Sequence, residues 1–178
     1  YVEETGASQH FRDARITTIY EGTTGIQAND LIGRKLARED GRTLKALLGR
    51  IDGDARRLTE APDAALVQIG GALSAAARAL EEATDWLLAH DAQPAQCAAG
   101  AVPFLRLTGT VIGGWLSARM AEAAAAQLAA GAGDARFLDA KRATASHYAA
   151  HVLVQAPTLR DIVTHGAGST LALADDQL

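Results

Sequence analysis

The sequence predicts an all-α fold, an up-and-down helical bundle that follows a short irregular segment. Apolar residues recur at helical spacing along four successive stretches after residue 41, and the alternating pattern of a β-strand is almost absent. Aromatic residues make up only 4% of the 178 residues. Because an amphipathic helix must bury its apolar stripe against another element, consecutive helices with short connections indicate a bundle.

The helix boundaries are predicted from capping residues, glycines and prolines. A first helix is expected over 26–37, with Thr24 able to cap its start and with Asp40 and Gly41 as its stop. The bundle helices are expected over 42–58, over 63–90, from about Pro103 to 130, and over 135–155.

The remaining stretches are predicted to be irregular or short. Residues 92–100 form a loop or the start of a helix. Pro157 is expected to end the last bundle helix, so that 158–164 add one short turn before a frayed tail at 166–178.

Several glycines lie inside the predicted helices. Gly109, Gly113 and Gly114 each cost about 1 kcal/mol relative to alanine, which predicts the close approach of a neighbouring helix. Gly70 and Gly71 mark either a dimer seam or packing within the chain, and the sequence favours neither.

The charge balance argues against nucleic-acid binding. The formal net charge is -4, and each basic cluster is interleaved with acidic residues, which is typical of a solvated helix face. These clusters are Arg34, Lys35 and Arg38, followed by Arg56 and Arg57.

The single cysteine and the most apolar stretch carry little chemistry. As the only cysteine, Cys97 excludes an internal disulfide and a cysteine metal cage, and we expect a buried thiol and a cytoplasmic location.

Residues 98–115 are interrupted by Pro103 and Arg106, so we expect no membrane span. His147 and His151 lie four residues apart, but without a third ligand at suggestive spacing we expect surface histidines and no metal site.

The most informative stretch is residues 11–27, FRDARITTIYEGTTGIQ, which we call the signature segment. Its one glutamate, Glu21, is followed by the turn-forming run of residues 22–25, GTTG, which breaks regular structure and frees backbone amides. A carboxylate in such a loop is a candidate general base.

The signature segment resembles the carboxy-terminal signature of the acyl-CoA dehydrogenases, whose usual form is close to YRDARIxxIYEGTxxIQ. Phe11 stands where that family often has tyrosine. Twelve residues match in register: Arg12, Asp13, Ala14, Arg15, Ile16, Ile19, Tyr20, Glu21, Gly22, Thr23, Ile26 and Gln27. Residues 1–6 also resemble the end of the family's flavin-contacting segment.

The resemblance implies a domain organisation. Residues 1–41 are expected to be the end of the family's catalytic helical domain, with the catalytic loop at 20–27. Residues 42–178 are expected to form the additional helical domain of the larger members. We therefore interpret the chain as the carboxy-terminal part of a longer polypeptide.

The resemblance also implies roles for the loop residues. Glu21 is expected to remove the α proton of an acyl-CoA thioester while hydride passes to FAD, and burial by substrate is expected to raise its pKa. Tyr20 is expected to line the acyl pocket, with plain packing as the alternative. Gly22 is expected to let the thioester approach the backbone, which is compatible with a tight turn.

The residues that follow are implied to meet the cofactor or to support the loop. Thr23, Thr24 and Gly25 align with positions at the adenosine or pyrophosphate end of FAD, with an N-cap at Thr24 as the alternative. Three charged residues, Arg12, Asp13 and Arg15, are expected to form a scaffold ion-pair network. One departure is that many relatives have arginine where this sequence has Gly33, and Arg34 follows one position later.

The function implied is the α,β-dehydrogenation of an acyl-CoA in fatty-acid β-oxidation. Implied partners are the acyl-CoA substrate, the amino-terminal part of the same enzyme, a second copy in a homo-oligomer, and an electron-transfer flavoprotein as acceptor. An acyl-CoA oxidase, which delivers electrons to oxygen, is an alternative within the enzyme class. A non-catalytic assembly or dimerisation module is the alternative outside it.

Overall fold

The computed structural model describes residues 4, 6–20, 22–174 and 177. Within these residues the chain is helical and contains no β-strand, which confirms the predicted all-α class. The α-helices are α1 Ala7–Arg15, α2 Thr24–Asp30, α3 Arg42–Thr59, α4 Ala64–Ala89, α5 Pro94–Ala99, α6 Ala101–Ala129, α7 Ala135–His151, α8 Ala156–His165 and α9 Ala167–Thr170. Turns of other helix types lie at Ile16–Thr18, Ala37–Glu39 and Leu153–Gln155 (3-10) and at Leu31–Leu36 (π).

The helical bundle consists of α3, α4, α6, α7 and α8, and α4 contacts all the others. The apolar faces of α4 and α6 supply most of the largest fully buried side chains, including Leu73, Leu80, Phe104 and Leu107. Burial of such side chains stabilises a fold by about 1.5–3 kcal/mol each. The predicted bundle therefore has a continuous core of its own.

Aspartates begin two of the long helices. Asp63 precedes α4 and accepts a hydrogen bond from the Ala65 amide at 2.9 Å. Asp134 precedes α7 and accepts one from the Arg136 amide at 2.9 Å. Each carboxylate satisfies an amide that has no partner inside the helix, which fixes where the helix begins.

The glycines inside the helices have different surroundings. A Cβ at Gly113 would lie 2.5 Å from the Tyr148 hydroxyl, and one at Gly114 would lie 2.8 Å from Leu153 Cγ, so the predicted close approach is confirmed there. It is wrong at Gly109, where a Cβ would meet no atom within 4 Å. Gly70, in the second turn of α4, is explained by packing within the chain, because a Cβ there would lie 2.9 Å from a backbone oxygen of α3.

The carboxy-terminal region is more ordered than the sequence predicted. We expected one short turn over 158–164, but α8 has ten residues and buries Ala156, Leu159 and Val163 against the bundle. Pro157 lies in the first turn of α8, where its missing amide costs nothing, so it starts a helix rather than ending one. Part of the expected frayed tail also forms α9.

The chain from residue 24 to residue 39 runs helically from α2 through the π-helical turn into a 3-10 turn. It ends at Asp40 and Gly41, both with positive φ, as predicted. Ala28, Ile32 and Leu36 are buried in the same apolar cluster as the bundle. The signature segment is thereby anchored to the bundle through the helix that follows it. The domain boundary after residue 41 stays a prediction.

Candidate functional site

The loop of the signature segment connects the 3-10 turn Ile16–Thr18 to α2. Glu21 lies outside the described residues, so the geometry of the site is that of its flanks. On the amino-terminal side, the Tyr20 amide donates a hydrogen bond to the Ile16 carbonyl at 2.8 Å. The Ile19 amide donates to the same carbonyl at 3.1 Å and closes the 3-10 turn, so the two bonds together fix the backbone immediately before Glu21.

On the carboxy-terminal side, Thr23 caps α2. Its backbone is extended, and its hydroxyl oxygen accepts a hydrogen bond from the Ile26 amide at 3.2 Å. The predicted N-cap at Thr24 is therefore wrong. Both threonines have the right side chain, but Thr24 already has helical geometry, and only the residue before the helix can cap it.

Gly22 has φ 149°, in the region that favours glycine. The Gln27 side chain reaches back and donates a hydrogen bond from Nε2 to the Gly22 carbonyl at 3.4 Å. A Cβ at Gly22 would lie 3.0 Å from that same nitrogen. This hydrogen bond between two residues of the signature thus ties the end of the loop to the first turn of α2.

The apolar side chains of the signature segment face outward. Five of them are between 51% and 66% exposed: Phe11, Ile16, Ile19, Tyr20 and Ile26. Water is a poor environment for so much apolar surface in one segment, which is typical of a binding face. Arg12, Asp13 and Arg15 are exposed too, and their ion-pair network stays a prediction.

A π-helical turn follows α2 and includes Gly33 and Arg34. Since a π-helical turn holds more residues than an α-helical turn, it rotates the residues after it backward around the helix axis. Arg34 is thereby displaced toward the angular position that Gly33 would occupy in an uninterrupted α-helix. Its guanidinium is 76% exposed and pairs with Asp30 one turn earlier.

A second polar cluster, which the sequence reading missed, joins α3 to α6. Arg57 donates to both carboxylate oxygens of Glu122, at 2.8 and 2.9 Å, and to Asp54 at 2.8 Å. The Trp115 indole donates to the other Asp54 oxygen at 2.7 Å. The spacing of these residues could have predicted the cluster. Each helix repeats the same helical spacing, at residues 50, 54 and 57 of α3 and at residues 115, 119 and 122 of α6.

The carboxylates of this cluster are held in their charged form. Burial raises the pKa of Asp54, but the hydrogen bonds from Trp115 and Arg57 outweigh it, and the pKa lies below its ordinary value. The pKa of Glu122 is lowered chiefly by its hydrogen bond to Arg57, and the pKa of Arg57 is raised by the same contact. These groups are ion-paired at neutral pH, which suits a structural link better than acid–base chemistry.

The other singled-out side chains form no catalytic group. Cys97 is buried as predicted, and burial raises the pKa of its thiol, which makes it a poor nucleophile. The His147 and His151 rings stack with centroids 4.3 Å apart on the exposed face of α7. In the described ranges, no three histidine, cysteine or acidic side chains converge as a metal site would require.

No helix in the described part of the chain is both long enough and apolar enough to cross a membrane. The cytoplasmic location expected from the sequence stays a prediction.

Comparisons with known proteins agree with the signature. Residues 47–174 match the family model described as "Acetyl-CoA dehydrogenase C-terminal like". The chain is 45% identical over 172 residues to 3-methylmercaptopropionyl-CoA dehydrogenase of Ruegeria pomeroyi, a match that covers 96% of this chain and 29% of the relative. It is 35% identical over 177 residues to the broad-specificity linear acyl-CoA dehydrogenase FadE5 of Mycobacterium tuberculosis, covering 92% and 28%.

The chain spans less than a third of the length of these curated relatives. The family model covers the bundle, and the matches to both relatives extend over nearly the whole chain. The chain therefore belongs to the acyl-CoA dehydrogenase family.

Proposed function

We propose that the chain is the carboxy-terminal part of an FAD-dependent acyl-CoA dehydrogenase in which Glu21 removes the α proton of the substrate. The observation that carries the proposal is the loop itself. Its backbone is held before Glu21 by the Tyr20–Ile16 hydrogen bond and after it by the Thr23 cap. A base in a loop fastened on both sides loses little freedom when it meets substrate.

The chemistry demands a carboxylate in a dry, fixed position. The α proton of a thioester is weakly acidic, so its removal needs a base whose pKa lies near the working pH. A bound acyl chain that covers the loop would exclude water from Glu21 and raise its pKa. The Glu21 carboxylate then accepts the α proton, and its backbone amide is proposed to stabilise charge on the thioester oxygen.

The neighbours of Glu21 are proposed to hold the substrate. Tyr20 is 66% exposed, so its ring is available to an acyl chain. Gly22 carries no side chain, so its backbone is proposed to admit the thioester on the side away from Gln27.

The start of α2 is proposed to meet the flavin cofactor. Thr24 is exposed, and a Cβ built on Gly25 would meet no atom of the described residues within 4 Å. Hydroxyl groups and backbone are therefore accessible to a ligand along residues 23–25. When bound, FAD supplies the hydride acceptor, chemistry that no side chain offers.

Arg34 is proposed to meet the coenzyme A part of the substrate. The resemblance places an arginine near coenzyme A at the position of Gly33, and the π-helical turn is proposed to bring Arg34, whose side chain is exposed, toward that position. Guanidinium groups suit phosphates because their N–H donors form a fork.

The two relatives are named for acting on 3-methylmercaptopropionyl-CoA and on linear acyl-CoA. We accordingly propose an acyl-CoA thioester as substrate, a place in fatty-acid β-oxidation, and an electron-transfer flavoprotein as acceptor. The same signature would serve an acyl-CoA oxidase, and the reduced enzyme's reaction with oxygen separates the two.

The second candidate function is assembly. The outward-facing apolar side chains of the signature segment favour a face that docks on the rest of the enzyme or on a second copy. Catalysis and assembly are compatible in one chain.

The test uses the full-length parent enzyme with Glu21→Gln, which keeps the size of the side chain and removes the base. We expect anaerobic bleaching of the flavin by acyl-CoA to slow by at least a thousandfold. Glu60→Gln, at the exposed end of α3, is the matched control and should bleach at the parental rate. Undiminished bleaching in Glu21→Gln would contradict the assignment.

A further inference from the structure

Helices α3 and α6 face each other across a groove of about 600 Å³. Arg50 and Arg57 line it from α3, and Arg119 lines it from α6. Two carboxylates, Asp54 and Glu122, lie among these guanidinium groups. The groove therefore has a positive excess of one charge on a chain whose net charge is -4.

The two carboxylates are already occupied. Glu122 accepts from Arg57 through both oxygens. Asp54 accepts from Arg57 through one oxygen and from the Trp115 indole through the other. Both acids therefore make their shortest contacts to Arg57 and Trp115 rather than to the two remaining arginines.

The two remaining arginines are paired weakly or not at all. Arg119 Nε lies 3.9 Å from Asp54 Oδ2, a long ion pair beyond hydrogen-bond distance, and Arg50 forms no ion pair within the described part of the chain. Both guanidinium carbons lie over the buried Trp115 ring, at 5.5 Å for Arg50 and 5.3 Å for Arg119. Stacking on the indole holds the groups in place, and among the described residues neither guanidinium donates a hydrogen bond.

We propose that this groove binds a phosphate group, with Arg50 and Arg119 as its two ligands. The guanidinium groups come from different helices, and a tetrahedral dianion presents oxygens in more than one plane, whereas a carboxylate presents two in one plane. Because the indole orients both side chains beforehand, little side-chain entropy is lost on binding. The site uses no residue of the signature segment.

The fluorescence of Trp115 reports on the groove directly. In a Trp86→Phe background it is the only tryptophan of the chain, and inorganic phosphate can be titrated at constant ionic strength. We expect a saturable change with a dissociation constant on the order of 1 mM, as two exposed charge-assisted contacts would give. Arg50→Gln and Arg119→Gln should each weaken binding at least tenfold, and Arg50→Lys, which keeps the charge but loses the fork, should fall between.

The matched control is Arg56→Gln, which removes a charge from the same helix outside this groove and should leave the dissociation constant unchanged. Circular dichroism checks that each variant is folded. Tighter binding of adenosine monophosphate than of inorganic phosphate supports a phosphate ester as ligand, and equal binding supports free phosphate. A non-saturable response, an equal loss in Arg56→Gln, or tighter binding of succinate would overturn the proposal.

Discussion

The signature segment and the helical bundle handle their apolar side chains in opposite ways. The signature segment leaves its large apolar side chains more than half exposed and is held by short-range hydrogen bonds. The bundle buries most of its large apolar side chains, with Phe104 and Leu80 at 0% exposure, although Leu116 and Phe137 on its outer faces are more than half exposed. The bundle therefore supplies stability within the chain, and the signature segment presents a surface for contacts outside it.

The largest expected difference comes from truncating one aromatic side chain in each region. Phe104→Ala should lower the free energy of unfolding by about 3–5 kcal/mol, because it leaves a cavity in the buried core. Phe11→Ala should change it by less than about 0.5 kcal/mol, because half of that side chain is already in water. Urea unfolding followed by circular dichroism measures both, and equal losses would break the contrast.

Two adjacent glycines of α4, Gly70 and Gly71, test how the bundle packs. Gly70→Ala should destabilise it by about 2 kcal/mol, because the new Cβ would meet backbone atoms of α3 that cannot move cheaply. Gly71→Ala should instead stabilise it by up to about 1 kcal/mol, since that side of α4 is open. The two thermal midpoints should shift in opposite directions, and a shared direction would refute the packing argument.

A smaller effect is expected at the cap of α2. Thr23→Ala should cost about 1 kcal/mol of local stability because the Ile26 amide loses its acceptor. Thr24→Ala is the control and should stay within a few tenths of a kcal/mol. Amide hydrogen exchange at Ile26 and Gln27 reads the local opening, and greater exchange in Thr24→Ala would move the cap back to Thr24.

The smallest effect is on the loss of folding stability at low pH. Asp54 and Glu122 have lower pKa values in the folded chain than their ordinary 3.8 and 4.5, so they stabilise the fold above those values. That contribution is lost as the pH falls through the lowered, folded-state values. Arg57→Gln should flatten the loss of stability below about pH 4, as followed by urea midpoints across pH. An unchanged pH profile would show that Arg57 does not hold these carboxylates.

The sequence predicted the bundle well because periodic apolar residues and aspartate caps act locally. It misplaced the cap of α2, since two adjacent threonines both qualify and only the backbone decides. It underestimated α8, expecting one short turn over 158–164, because proline is taken as a helix breaker although it also begins helices. The link from Arg57 to Glu122 depends on how α3 and α6 face each other, which local patterns do not contain.

The candidate site was predicted from particular residues rather than from periodicity. The Gly22–Gln27 contact gives a physical reason for two of the residues in the signature. The π-helical turn gives Arg34 a position that a straight helix would not. Neither the hydrogen bond nor the π-helical turn can be predicted from the order of the residues alone.

Exchange of the substrate α proton with solvent reports directly on whether Glu21 removes that proton. The full-length parent enzyme is incubated with acyl-CoA in D₂O under anaerobic conditions, and deuterium at Cα is followed by NMR. Our account predicts exchange in the parent and a loss of at least a thousandfold in Glu21→Gln that still binds acyl-CoA. Exchange at the parental rate in that variant would show that another group removes the proton.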